Sequence, residues 1–168
     1  PDALVYCSNF PTSVGLLVKQ ARALGHKGPI VGCDGWFDTA MVKTAGAAAD
    51  KKSDTEALYF TFQAPPHTGP EAPPKVKACA EKFKAKYGND PANYDSYGYD
   101  FANLVANAIQ KAGSTDKNKI IEVLHKSSVP GLLIPEYKFD DNGDVVNGPL
   151  YIYTVEKGQI KLVEQWKE

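Results

Sequence analysis

The stretch LVYCSNFPTSVGLLVKQARALGHKGPIVGC, residues 4–33, carries the reading of the fold. It starts within the apolar run DALVYCS (2–8), rich enough in Val, Leu and Tyr for a buried strand. NFPTS follows, with Pro11 near a helix start and Thr12 or Ser13 as cap candidates. Val14, Leu17, Val18, Ala21 and Leu24 then recur at helical spacing and predict one apolar face, with Gly25 as the stop. GPIVGC (28–33) is a second strand.

The alternation continues beyond this unit. FDTAMVKTAG predicts a short helix capped by Asp38 and ended by Gly46, and ALYFTFQ (57–63) a third strand. A β-α-β-α-β order calls for a parallel sheet with right-handed crossovers. KKSDTE (51–56) is a polar, exposed connection. APPHTGPEAPP (64–74) holds five of the twelve prolines and reads as an extended crossing segment or a linker between lobes. Three helices follow. Val76, Cys79, Ala80, Phe83 and Tyr87 share one face, which makes Cys79 a small core residue. Tyr97, Phe101, Leu104, Val105, Ala108 and Ala112 share the next face, and Ser114–Asp116 caps a helix carrying Ile120, Ile121 and Leu124. The tail turns to hairpins: EYKFDDNGDVV around Asn142-Gly143, then LYIYTV and QIKLVEQW around Glu156-Lys157-Gly158.

Bulk properties exclude several classes. The 168 residues suffice for one ordinary domain with a core, and a net charge of −1 favours neither nucleic acid nor an anionic membrane. No apolar run approaches the roughly 20 residues a membrane helix needs. Three cysteines without CxxC spacing and three scattered histidines, which read as solvated surface residues, support neither a disulfide scaffold nor zinc. There is no GxGxxG, no GxxxxGK[ST] and no GxSxG. Cys7 sits where a phosphatase nucleophile would, but Ser13 stands in place of the required Arg. DDNGD (140–144) fails the calcium-loop pattern, with Val145 and Tyr151 at the Gly and Glu positions, and reads as a turn. No cofactor is expected.

What remains is geometric. Open parallel sheets bind ligands outside the carboxyl ends of their strands. Those ends supply Asn9 and Phe10, then Asp34 and Trp36, then Gln63: amides, an acid and two rings on one edge. Such a set suits a small polar organic ligand, since a carboxylate pairs an ammonium and rings cover an apolar part. Plainer readings stand beside each. Asp34, before Gly35, equally suits a turn; Trp36 and Phe37 suit the core; Asn9 suits an Asx-turn, and Phe10 a hydrophobic staple. Cys7 and Cys33 lie near one edge of neighbouring strands, where a bridge requires matched Cα spacing.

The ordered segments LVYCSNFPTSVGLLVKQARALGHKGPIVGCDGWFDTAMVKTAGAAAD, KVKACAEKFKAKYGNDPANYDSYGYDFANLVANAIQKAGSTD and YKFDDNGDVV together resemble the second lobe of type I periplasmic solute-binding proteins. That group includes the leucine/isoleucine/valine-binding receptors of ABC importers. The resemblance implies an α/β, three-layer Rossmann-like lobe with a parallel central sheet and C-terminal antiparallel hairpins. It implies residues 1–63 as the ligand-binding lobe, 64–74 as the crossing segment, and 75–168 as helices and hairpins that complete the lobe and normally return to the first lobe. It also implies a non-enzymatic, periplasmic receptor that delivers an amino acid, amide or aromatic carboxylate to a membrane permease. By the resemblance Asp34 accepts the ligand ammonium, Asn9 takes a position usually aromatic with Phe10 adjacent, and Tyr94 falls near a further pocket aromatic. The chain matches only the second half of such a receptor, so the expectation is a fragment whose orphaned helices drive self-association or domain swapping. Two other readings are a sensory domain of the same fold and a flavodoxin-like receiver domain phosphorylated at Asp34. The receiver reading is weakened by Cys7-Ser8-Asn9 where acids belong.

Overall fold

The computed structural model describes residues 1–67, 70–92 and 94–166; Thr68 and Gly69 of the proline-rich segment, Asn93 and the last two residues lie outside that set. In chain order the elements are β1 (Leu4–Val5), α1 (Pro11–Ala23), β2 (Ile30–Gly32), α2 (Thr39–Ala45), β3 (Leu58–Phe62), α3 (Pro74–Tyr87), α4 (Asp95–Ala112), α5 (Lys117–Lys126), β4 (Val129–Pro130), β5 (Glu136–Tyr137), β6 (Leu150–Glu156) and β7 (Gln159–Trp166). The chain divides into two compact units, Pro1–Gln63 with Pro149–Glu168, and Ala64–Gly148.

The first unit is an α/β layer structure with a mixed sheet in the order β1-β2-β3-β6-β7. β1, β2 and β3 run parallel, as the alternation of elements requires, with Leu4 beside Ile30 and Ile30 beside Leu58. β6 joins antiparallel to β3 and β7 antiparallel to β6, so the last hairpin extends the parallel strands into one sheet. In β3 the burial alternates: Leu58, Phe60 and Phe62 face the core while Tyr59 and Thr61 are half-buried. Val14 and Val18 of α1, and Met41, Val42 and Ala45 of α2, pack into the same core with Tyr153 and Val155 of β6.

Local chemistry explains the helix ends. Pro11 opens α1 at its first turn, and Phe10 holds the cap position with no side-chain hydrogen bond, so Thr12 and Ser13 are not caps. Leu24, expected on the buried face, is 89 % exposed because the helix has ended by Ala23. Asp38 caps α2 as expected, its Oδ1 accepting from the Ala40 N–H at 2.6 Å, and Gly46 ends it. Arg22 Nη1 donates to the carbonyls of His26 and Gly28 at 2.8 and 2.7 Å, fastening the loop between α1 and β2. Asp50 accepts from the Gly158 N–H at 2.7 Å and so ties the loop after α2 to the β6–β7 turn.

In the second unit the buried stripe of α4 is Ser96, Asp100, Leu104 and Ala108, a run of four-residue steps. Leu104 and Ala108 belong to the expected face, but Phe101 and Val105 are exposed, so the stripe is rotated. The reason is Asp100. Its carboxylate accepts from the backbone N–H of Leu132 and Leu133 and from the Tyr137 hydroxyl, which turns a polar position inward. Around it Leu104, Val129, Ile134 and Tyr137 form a small core, flanked by Leu124 and Phe139. Asp116 caps α5 through the N–H groups of Asn118 and Lys119. Asp140 likewise accepts from Asn142 and Asp144, so DDNGD is a hydrogen-bonded turn. His67 is half-buried and desolvation lowers its pKa, contrary to a solvated position.

Candidate functional site

The candidate site forms where β1 and β2 end side by side. The parallel ladder continues past β1, the Tyr6 N–H donating to the Val31 carbonyl at 2.9 Å. Each strand then turns. After β2 the chain makes a short 3-10 turn, Asp34–Trp36, closed by the N–H groups of Trp36 and Phe37 on the carbonyls of Cys33 and Asp34. After β1 it makes the Ser8-Asn9-Phe10 turn, in which Ser8 Oγ accepts from the Phe10 N–H at 3.2 Å.

Gly35 brings the two turns together. A Cβ there would lie 2.5 Å from the Ser8 carbonyl oxygen and 2.6 Å from Asn9 Oδ1, so only glycine allows this approach. The Asp34 carboxylate consequently sits near the end of β1. The Cys7 thiol registers it: its pKa is raised first by a hydrogen bond with Cys33, then by burial, then by the charges of Cys33 and Asp34. Asn9 is exposed and Phe10 is 72 % exposed, so both offer surface at this edge. Gln63 is exposed immediately after β3, at the same end of the parallel strands.

Trp36 is a correction. Expected as a ring at the ligand edge, it is 0 % exposed. The 3-10 turn folds the indole beneath the sheet, against the backbone of Gly32 and 6.3 Å from the Phe60 ring. Phe37 also packs inward, stacked on Phe62 at 4.4 Å and edge-on to Tyr153 at 4.6 Å. The turn therefore keeps its acid half-buried at the strand ends, sets the indole in the core and packs the half-buried Phe37 ring against it. Gly32 leaves no room for a methyl group beside the indole. Gly32→Ala is expected to cost about 1–3 kcal/mol through overpacking. Urea unfolding of the single variant and of Gly32→Ala combined with Trp36→Phe checks this, because the smaller ring should return part of the loss.

Tyr94 belongs to the second unit, where it is exposed at the start of α4 with its ring 6.1 Å from that of Tyr97. Sequence reasoning missed Tyr151. Its strand runs antiparallel and starts where β3 ends, with Phe62 beside Tyr151, so it enters the edge from the far end of the chain. Burial raises its hydroxyl pKa. The signal was present only in the pairing of a C-terminal hairpin with β3. Among the described residues no group of His, Cys, Asp and Glu is arranged to hold a metal. The broad concavity of the first unit, about 1050 Å³, lies at the opposite ends of β1 and β2, beside Asp2, Leu4, Gln20, Leu24, His26 and Gly28.

The ends of the parallel strands thus bring an acid and amides to one edge of the sheet, the edge at which open parallel sheets bind ligands. The family model for periplasmic binding proteins matches residues 1–159. The chain belongs to the periplasmic binding protein family. Within it, the chain is 27 % identical over 149 residues to the leucine-, isoleucine-, valine-, threonine- and alanine-binding protein of Pseudomonas aeruginosa, covering 89 % of this chain and 37 % of that one. It is 27 % identical over 157 residues to the Leu/Ile/Val-binding protein homolog 1 of Brucella abortus, covering 92 % and 39 %. Among solved structures, a leucine-binding protein of Thermotoga maritima superposes with a TM-score of 0.78 at 28 % identity, over 98 % of this chain and 44 % of that one. A branched-chain amino acid transporter substrate-binding protein of Streptococcus pneumoniae, in complex with isoleucine, gives 0.73 at 29 %, over 98 % and 43 %. This family member thus spans well under half the length of the relatives it matches.

Proposed function

We propose that this chain supplies one ligand-binding lobe of a periplasmic solute receptor that serves an ABC importer, and that Asp34 pairs with the ammonium of an amino-acid solute. The observation that carries the reading is the Gly35 contact, which sets Asp34 against the Ser8–Asn9 turn at the carboxyl ends of parallel strands. Asn9, Phe10 and Gln63 would complete this lobe's half of the cleft, with the solute carboxylate held by the other lobe. Residues 64–148 would belong with the segment that returns toward that lobe. An amino acid fits the acid best, while an amide or an aromatic carboxylate would use Asn9 and Gln63. Delivery to a permease involves no covalent chemistry. The relatives, binding proteins for leucine, isoleucine and valine among others by name, support an amino acid first.

A thermal-shift screen of the intact receptor tests this. Amino acids, amides and aromatic acids are added separately. A solute at about 100 times its dissociation constant adds about 2.7 kcal/mol of stability, a clear rise in melting temperature. A rise confined to amino acids supports the ammonium pairing. A flat response to every amino acid overturns it.

A further inference from the structure

Beyond solute binding, the first unit holds a pair of thiols that neither the sheet nor the site uses. Cys7 and Cys33 follow the last residues of β1 and the ladder position of β2. The register sets Leu4 beside Ile30 and Val5 beside Val31, and the same offset carried forward sets Cys7 beside Cys33. Residues paired in this way in a parallel ladder put their side chains on one face of the sheet. Neighbouring strands lie about 4.7–4.9 Å apart, within the roughly 4.4–6.8 Å Cα separation that a disulfide spans. Cys33 is also the first influence that raises the Cys7 thiol pKa above its ordinary value, as expected of a neighbouring thiol. Just past them, Gly35 locks the two turns in contact. Cys7 is exposed, so a reagent can reach the pair, and neither thiol is bonded in the structure.

We propose that Cys7 and Cys33 form a reversible disulfide that staples the ends of β1 and β2 beneath the Asn9 and Asp34 turns. The oxidant is a disulfide, either a small molecule such as glutathione disulfide or a protein of the thiol–disulfide exchange class. One cysteine thiolate attacks a sulfur of that disulfide, forms a mixed disulfide and expels one thiolate. The second cysteine, as thiolate, attacks the protein sulfur of the mixed disulfide and expels the other. The protein thiols lose two electrons and two protons, and the oxidant leaves as two thiols. The raised pKa of Cys7 makes the exchange faster as pH rises. An oxidising compartment would keep the staple closed, and a reductant would open it. Closing it removes freedom from both turns and holds the Asp34 carboxylate against the Ser8–Asn9 turn.

The test uses the 168-residue chain with its three cysteines. It is equilibrated with glutathione disulfide and glutathione, quenched with iodoacetamide and digested with trypsin. The expected product is peptide 1–19 joined to peptide 28–43, with Cys79 alkylated, so that reactive thiols fall from three to one. Dithiothreitol should restore all three. Cys79→Ser should leave the cross-link intact, whereas Cys7→Ser or Cys33→Ser should abolish it. In concentrated urea the preference for the 7–33 link should vanish, because only the fold holds those sulfurs together. Glutathione adducts alone, or a link from Cys79 in equal yield in the native chain, would overturn the proposal.

Discussion

Replacing Asp34 by alanine in the intact receptor is expected to weaken binding of an amino-acid solute by about 2–5 kcal/mol, roughly 30- to 4,000-fold in the dissociation constant. The size follows from where the acid stands. Where solvent reaches it, an ammonium–carboxylate pair is worth little, because water screens it. When two lobes close over a solute they exclude that water, and the same pair at the same separation gains several-fold in strength. Most of the measured loss is then the cost of leaving an ammonium buried without a counter-charge, and it should fall on the dissociation rate. Asp34→Asn keeps the shape and a hydrogen-bond acceptor but not the charge, so it should recover only part of the loss. Calorimetric titration of wild type and both variants decides the matter. A change near zero for Asp34→Ala removes this carboxylate from the site and leaves it as a turn residue.

The features that place Asp34 differ greatly in their visibility in the amino-acid sequence. The order of strands and helices through residue 63 was legible because each element carries a strong period or a clear end signal, such as Asp38 and Gly46 around α2. The meeting of Asn9 and Asp34 was legible too, since parallel strands must end on one edge. The burial of Trp36 was not. It occupies a three-residue turn, too short to show a period, and its position is set by the missing side chain at Gly32. The rotation of α4 was hidden for a related reason. A reading based on apolar periodicity follows Phe101 and Val105, whereas the buried stripe includes Ser96 and Asp100. Polar groups go inside when partners far along the chain satisfy them, and those partners, at Leu132, Leu133 and Tyr137, cannot be seen from the helix itself.

Asp100 is accordingly the residue whose loss should damage the second unit most. It is 4 % exposed and accepts at 2.7 and 2.9 Å from Leu132, at 2.9 Å from Leu133 and at 2.9 Å from the Tyr137 hydroxyl. Burial, then the hydrogen bond to Asp100, hold the Tyr137 phenol far above its ordinary pKa. Asp100→Ala strands two backbone N–H groups and a hydroxyl at once. Each unsatisfied buried group costs about 1–3 kcal/mol, so a total loss of about 3–5 kcal/mol is expected even if water enters to serve one of them. Native stabilities are only about 5–15 kcal/mol, which makes this enough to unravel the packing of α4 on Val129, Ile134 and Tyr137. Asp100→Asn should cost nearly as much, because its amide brings donors to a place already full of donors, whereas Tyr137→Phe removes one bond and should cost about 1 kcal/mol. Hydrogen exchange read separately over residues 95–137 and over β1–β3 would show the loss confined to the second unit. If Asp100→Ala leaves protection of α4 unchanged, the carboxylate is not what turns that helix inward, and its buried stripe needs another cause.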